Sequence, residues 1–146
     1  MTNSEVVLEA IKAVEERDAE LLFGLHHEEV EFHDAASLPY GGIRRSKAAI
    51  VEEFRRDPLS TWLGTWGPVQ PTERERRMDP RIVAENGNEV VALYTQRAVA
   101  PNGERFESPV VGLYEVRDEK LARAQMFHYD TAAIAAFLSR ARRSEA

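Results

Sequence analysis

The chain has 146 residues, enough for one hydrophobic core but not two, and its 43% hydrophobic and 30% charged content is that of an ordinary globular domain. The 25 acidic and 19 basic side chains leave a net charge of -6, which argues against a dedicated nucleic-acid binder with a basic face for phosphates. Cysteine is absent, excluding disulfides, thiolate nucleophiles and thiolate metal sites, and no apolar run approaches the roughly 20 residues of a membrane span. Met1 to Glu9 lacks a basic start and an apolar signal core, so a single cytoplasmic domain over residues 1–146 is expected.

In chain order, Asn3 or Ser4 is placed to cap a first helix, with Val6, Val7, Ala10, Ile11 and Val14 at helical spacing. Asp18 caps a second, short one containing Leu21, Leu22 and Leu25. Val30 to Asp34 alternates apolar and polar as a strand does, and Ala35 to Arg45 reads as a loop. Ser46 caps a third helix that must stop before Pro58. Leu59 to Pro80 reads as irregular, with Glu73 to Arg77 as a solvated strand face. Four strands follow: Arg81 to Glu85, Glu89 to Ala100, Glu104 to Val116 and Leu121 to Tyr129. Asn86-Gly87-Asn88 and Pro101-Asn102-Gly103 make the first two turns between them. Asp130 then caps a closing helix from Thr131 to about Arg142.

Helices segregated beside a largely antiparallel sheet predict an α+β fold. The expected form is a cone: a strongly curved, mixed or antiparallel sheet wrapped around three to four helices and enclosing an apolar pocket. In Val30-Glu31-Phe32-His33-Asp34, Gly41-Gly42 leading to Lys47-Ala48-Ala49-Ile50, Pro101-Asn102-Gly103, Pro109 to Tyr114, and Tyr129-Asp130 before an Ala/Leu helix, the chain resembles nuclear transport factor 2-like domains of the SnoaL-like and ketosteroid-isomerase-like type. That fold hosts isomerases, cyclases, epoxide hydrolases and non-catalytic binders, so the resemblance alone implies no activity.

Asp34 follows Val30 and Phe32 onto one strand face, where lost hydration would raise its pKa toward that of a general base. The resemblance places the proton-shuttling aspartate of the isomerases at the end of this strand; the alternative is a turn cap over Ala35–Ser37. The isomerase oxyanion donors match Ala10 and Val111, and the Asp-Arg-Asp set of the epoxide hydrolases matches Leu93, Thr95 and Phe127, so both sets are incomplete. The cyclase resemblance needs one acid/base and hydrogen-bond donors. Odd strand positions would offer Thr95, Arg97, Gln125 and Tyr129; even ones would offer Tyr94, Gln96, His128 and Asp130. Resemblance favours Gln125, Phe127 and Tyr129 pointing inward.

The candidate catalytic residues are therefore Asp34, His128 and Tyr129, with Phe32, Tyr40, Trp62, Trp66, Thr95, Arg97, Val111, Gln125 and Phe127 as candidate ligand contacts. Trp62 and Trp66, four apart, and Tyr40 would rim the pocket mouth. Asp130 is read as a helix cap and His33 as facing solvent or a dimer partner. No metal site is expected, because adjacent His26 and His27 point about 100° apart on a helix.

The function expected is cofactor-free acid/base chemistry, cyclisation or isomerisation, on an apolar polycyclic or polyketide-like substrate. Alternatives are a non-catalytic binding or dimerisation domain for a small hydrophobic ligand and an epoxide hydrolase with a non-standard site. A homodimer through the uncovered sheet face is expected, with Val90, Ala92, Tyr94, Val110, Tyr114 and Val116 supplying apolar area there. Neither nucleic acid nor membrane is expected as a partner.

Overall fold

The computed structural model describes residues 1–144; residues 145 and 146 of the expected domain lie outside them. Thr2, one residue earlier than expected, caps α1 (Asn3–Glu15), its hydroxyl accepting from the Glu5 N–H. Asp18 caps α2 (Ala19–Gly24) by accepting from the Leu21 N–H. The first strand, β1 (His26–Asp34), begins four residues before the alternating stretch. Part of the expected loop is a short edge strand, β2 (Gly42–Arg45), paired antiparallel to β1. Ser46 caps α3 (Lys47–Arg56), which ends ahead of Pro58.

The irregular stretch holds two single-turn helices, α4 (Trp62–Trp66) and α5 (Glu73–Arg76). The run Glu73–Arg77, expected as a strand face, is therefore helical: Thr72 precedes it, its hydroxyl bonded to the Glu75 carboxylate. Strands β3 (Arg81–Asn86), β4 (Glu89–Val99), β5 (Arg105–Arg117) and β6 (Lys120–His128) form an antiparallel meander. Asp130 accepts from the Ala133 N–H at the start of α6 (Thr131–Ser144).

The sheet order is β2-β1-β6-β5-β4-β3, with β1 and β6 parallel and every other neighbouring pair antiparallel. His26 pairs with Leu121 but Glu31 with Arg123, so β1 carries three extra residues across that gap and bends. The sheet curves without closing, and α1 packs into its concave side. There Val6, Val7 and Ile11 meet Val90, Val110, Tyr114 and Leu121. A second cluster at the other end joins Tyr40, Trp66 and Val69 to Ile134 and Phe137 of α6, with Phe106 and Phe137 stacked at 4.9 Å. Full burial of each such side chain stabilises by about 1.5–3 kcal/mol. Among the described residues no helix is long and apolar enough to cross a membrane.

Side-chain parity is the main correction. Val90, Ala92, Tyr94, Val110, Tyr114 and Val116, expected on the uncovered face, are all buried inside. The charged residues of β4 and β5 (Glu89, Arg97, Arg105, Glu107, Glu115 and Arg117) all occupy odd positions, and keeping them hydrated turns the even positions inward. The outer face instead carries Leu93, Val111 and Phe127, aligned across three strands, with Val111 37% and Phe127 49% exposed.

Gly112 is dictated by its neighbour. A Cβ there would lie 2.6 Å from the ring and hydroxyl of Tyr114, which folds over it on the concave face. Gly112→Ala is expected to push the Tyr114 ring aside and destabilise by about 1–3 kcal/mol; urea unfolding measures the loss, and a variant as stable as wild type contradicts this packing.

Candidate active site

A cavity of about 240 Å³ opens between the concave face and helices α1 to α4. An apolar cavity of about 150 Å³ holds one benzene ring, so this one takes a molecule on the order of two fused rings. Ile11, Val14, Leu22, Phe23, Phe54 and Met126 make it greasy.

At the inner end of β1, Asp34 points into this space. Its carboxylate makes no hydrogen bond or ion pair with any described residue, and the turn that follows is closed by the backbone alone, Leu38 N–H to the Ala35 carbonyl at 3.0 Å. The turn-cap reading of Asp34 therefore has no hydrogen bond behind it. Burial raises the Asp34 pKa from 3.8 to about 6, opposed by the nearby Arg44 guanidinium. Arg44 has its own commitments, to Glu53 at 2.8 Å and to the carbonyls of Tyr40 and Ser60. It tempers the charge of Asp34 without pairing with it.

Two phenols complete the polar part of the wall. The hydroxyls of Tyr94 and Tyr114 both donate to the Met126 thioether, at 3.6 and 3.9 Å. Sulfur is a weak acceptor, so both donors remain available to a ligand oxygen. Burial and the Asp34 charge hold both phenols above their ordinary pKa, so they stay protonated at neutral pH. Tyr40 also lines the cavity; its hydroxyl accepts from Trp66 Nε1 at 3.1 Å. At the mouth, Arg17 sits 5.5 Å from the Trp62 ring centroid.

Of the residues expected from sequence, Asp34, Phe32, Tyr40 and Trp62 line the cavity. Trp66 does not: it is wholly buried behind Tyr40. Thr95, Arg97, Val111, Gln125 and Phe127 lie on the outer face, because the inward parity is even. Arg97 pairs there with Asp79 and Glu107, and Gln125 accepts from Arg123. Tyr129 is 83% exposed beyond the end of β6, which removes it as a pocket donor. His128 is half-buried with no partner on either ring nitrogen among the described residues and lies outside the cavity lining; burial lowers its pKa. The positions matched to the epoxide-hydrolase set, Leu93, Thr95 and Phe127, share the outer face and so form no site in the hollow. Sequence reading missed His26, Tyr114 and Met126 as lining residues and left Tyr94 as the other parity. The odd-position charges of β4 and β5 were the signal that resolves it. Among the described residues no three His, Asp or Glu side chains are placed to hold a metal ion.

Residues 7–124 match the family model of the SnoaL-like domain. No curated protein matches the chain. Among solved structures, the chain is similar to TerC co-crystallised with polyporic acid, at 24% identity over 94% of this chain and 98% of that one, with a TM-score of 0.73. It is similar to an NTF2-like protein of unknown function from Burkholderia pseudomallei, at 19% identity over 94% and 98% and a TM-score of 0.67. It also resembles a candidate polyketide cyclase from Xanthomonas campestris pv. campestris, at 20% identity over 93% and 96% and a TM-score of 0.68. These likenesses concern the fold; with the family model spanning most of its length, the chain belongs to the SnoaL-like domain family, on the nuclear transport factor 2-like fold.

Proposed function

We propose that this protein catalyses proton transfer next to a carbonyl on a flat, apolar, two-ring substrate without a cofactor, as the first step of an isomerisation or cyclisation. The observation that carries this reading is the Asp34 carboxylate, unpartnered in an apolar cavity with its pKa raised to about 6. Ionised Asp34 takes a proton from the carbon beside the carbonyl. The C–H electron pair moves into the carbonyl, and the developing enolate oxygen accepts hydrogen bonds from Tyr94 and Tyr114. In isomerisation, protonated Asp34 returns the proton to another carbon of the same enolate; in cyclisation, the enolate carbon attacks a second carbonyl, whose oxygen takes the π electron pair of its C=O bond and the proton from Asp34. The apolar wall and Trp62 keep water from competing. Similarity to a candidate polyketide cyclase and to a protein crystallised with polyporic acid supports a ring-containing ligand.

We also propose a homodimer formed through the outer sheet face. The row Leu93, Val111 and Phe127 is partly exposed to solvent, while Arg97 and Glu107 at its margin pair within the chain and leave the apolar strip as the sticky part. Phe127→Glu is expected to shift sedimentation at micromolar concentration from dimer to monomer; a wild-type monomer refutes the interface.

The proton step is tested with β-tetralone, a two-ring ketone, by following its exchange of hydrogen for deuterium in heavy water by NMR. Wild-type protein is expected to speed exchange, Asp34→Asn to slow the catalysed rate about 10²–10⁴-fold, and Tyr94→Phe to slow it about 10²-fold. Undiminished exchange in Asp34→Asn overturns the assignment of the base, and binding without any catalysed exchange makes the pocket a binding site.

Stability tests the same residue. Between pH about 4 and 6 the folded protein keeps the Asp34 proton that the unfolded chain has released, so stability from this group falls as pH rises through that window, by at most roughly 3 kcal/mol. Asp34→Asn should flatten this fall and be the more stable protein at pH 7, as read by urea unfolding at both ends of the window.

A further inference from the structure

His26 stands apart from the chemistry just described. It is 2% exposed, it lines the cavity, and among the described residues neither ring nitrogen has a hydrogen-bond partner. An unpaired buried polar group is destabilising, and a phenylalanine would suit the surroundings better: Phe23 packs edge-on at 5.6 Å and Phe32 at 5.1 Å. Nothing in the packing of the fold calls for an imidazole here.

The strand register fixes where this group stands. Along β6, His26 lies at the level of Leu121, Phe32 at that of Ala124, and Asp34 follows His33, which pairs with Gln125. The order along the wall is therefore His26, Phe32, Asp34. Phe32 is two residues, roughly 7 Å, from Asp34 along the strand, and the His26 ring centroid is 5.1 Å from that of Phe32. The interval suits a two-ring molecule with an oxygen at each end.

We propose that His26 is the specificity-determining residue of the pocket, holding a hydroxyl or carbonyl on the ring of the substrate farthest from the carbonyl that reacts at Asp34, Tyr94 and Tyr114. The proposal rests on the reading of the Asp34 end given above and adds the substrate class, a bicyclic compound oxygenated at both ends. Both nitrogens are shielded from the cavity, so the part of His26 that lines it is carbon. A half-turn about χ2 exchanges each nitrogen for a carbon in the same ring plane, bringing a polar atom to the cavity. Burial, with a smaller push from the Lys47 ammonium, lowers the pKa to about 4. The ring is thus neutral at pH 7 and has one donor and one acceptor nitrogen, so it serves either kind of oxygen.

The test compares β-tetralone with its phenolic analogue bearing a hydroxyl on the far ring, by calorimetric titration of wild-type protein and His26→Phe. Wild type is expected to bind the phenolic compound about 10-fold more tightly, and His26→Phe to lose that preference while binding β-tetralone as before. The melting temperature of His26→Phe should equal or exceed that of wild type, which a structural histidine would not allow; His26→Gln should recover part of the preference. Equal affinity of wild type for the two compounds, binding of neither, or a preference that survives His26→Phe overturns the proposal. Asp34→Asn separates the two readings: it slows exchange as stated above but leaves the preference for the phenolic compound intact.

Discussion

One half-buried carboxylate, lining an apolar cavity and without a partner among the described residues, is the constraint around which the site is arranged. Asp34 is held there because β1 delivers every second residue to the concave side, and the glycine-containing loop that follows is closed by its own backbone hydrogen bonds. The protein carries a destabilising group in its interior, which a fold selected for stability alone would have removed. Its surroundings are graded to match: Arg44 tempers the charge from a distance, and Tyr94 and Tyr114 present donors beside it.

Met126 gives that arrangement its economy. A thioether is a poor acceptor, so it orients both phenols while surrendering little when an oxygen replaces it. A carboxylate or amide in the same position would have held the donors too firmly. Gly112 belongs to the same design, since only a residue without a Cβ lets the Tyr114 ring lie where its hydroxyl reaches the sulfur.

Much of the fold was legible in the sequence because local rules and tertiary structure agreed. Asp18, Ser46 and Asp130 cap helices in the structure as their positions suggested. The element order carried the α+β architecture, and the position of Asp34 on the strand face of Val30 and Phe32 carried its place in the cavity. What was misread was misread for physical reasons. The edge strand β2 is four residues long and Gly-led, too short to show alternation. The single-turn helices α4 and α5 depend on caps and tertiary contacts more than on periodicity. The donors lie on the face opposite to the one the family resemblance favours, and Glu89, Arg97, Glu107 and Glu115 mark the wet side. His26 had no sequence signal at all: the bend in β1 brings it against Phe32, and bulges of that kind are a tertiary outcome.

The parallel pairing of β1 with β6 also sets when the pocket can exist during synthesis. Its two walls come from opposite ends of the chain, His33 beside Gln125. When synthesis has reached residue 100, the base has been made but not the strand that shelters it. Contacts so distant in sequence slow the conformational search, and until they close the Asp34 strand remains a half-finished edge, open to pairing with whatever strand arrives first.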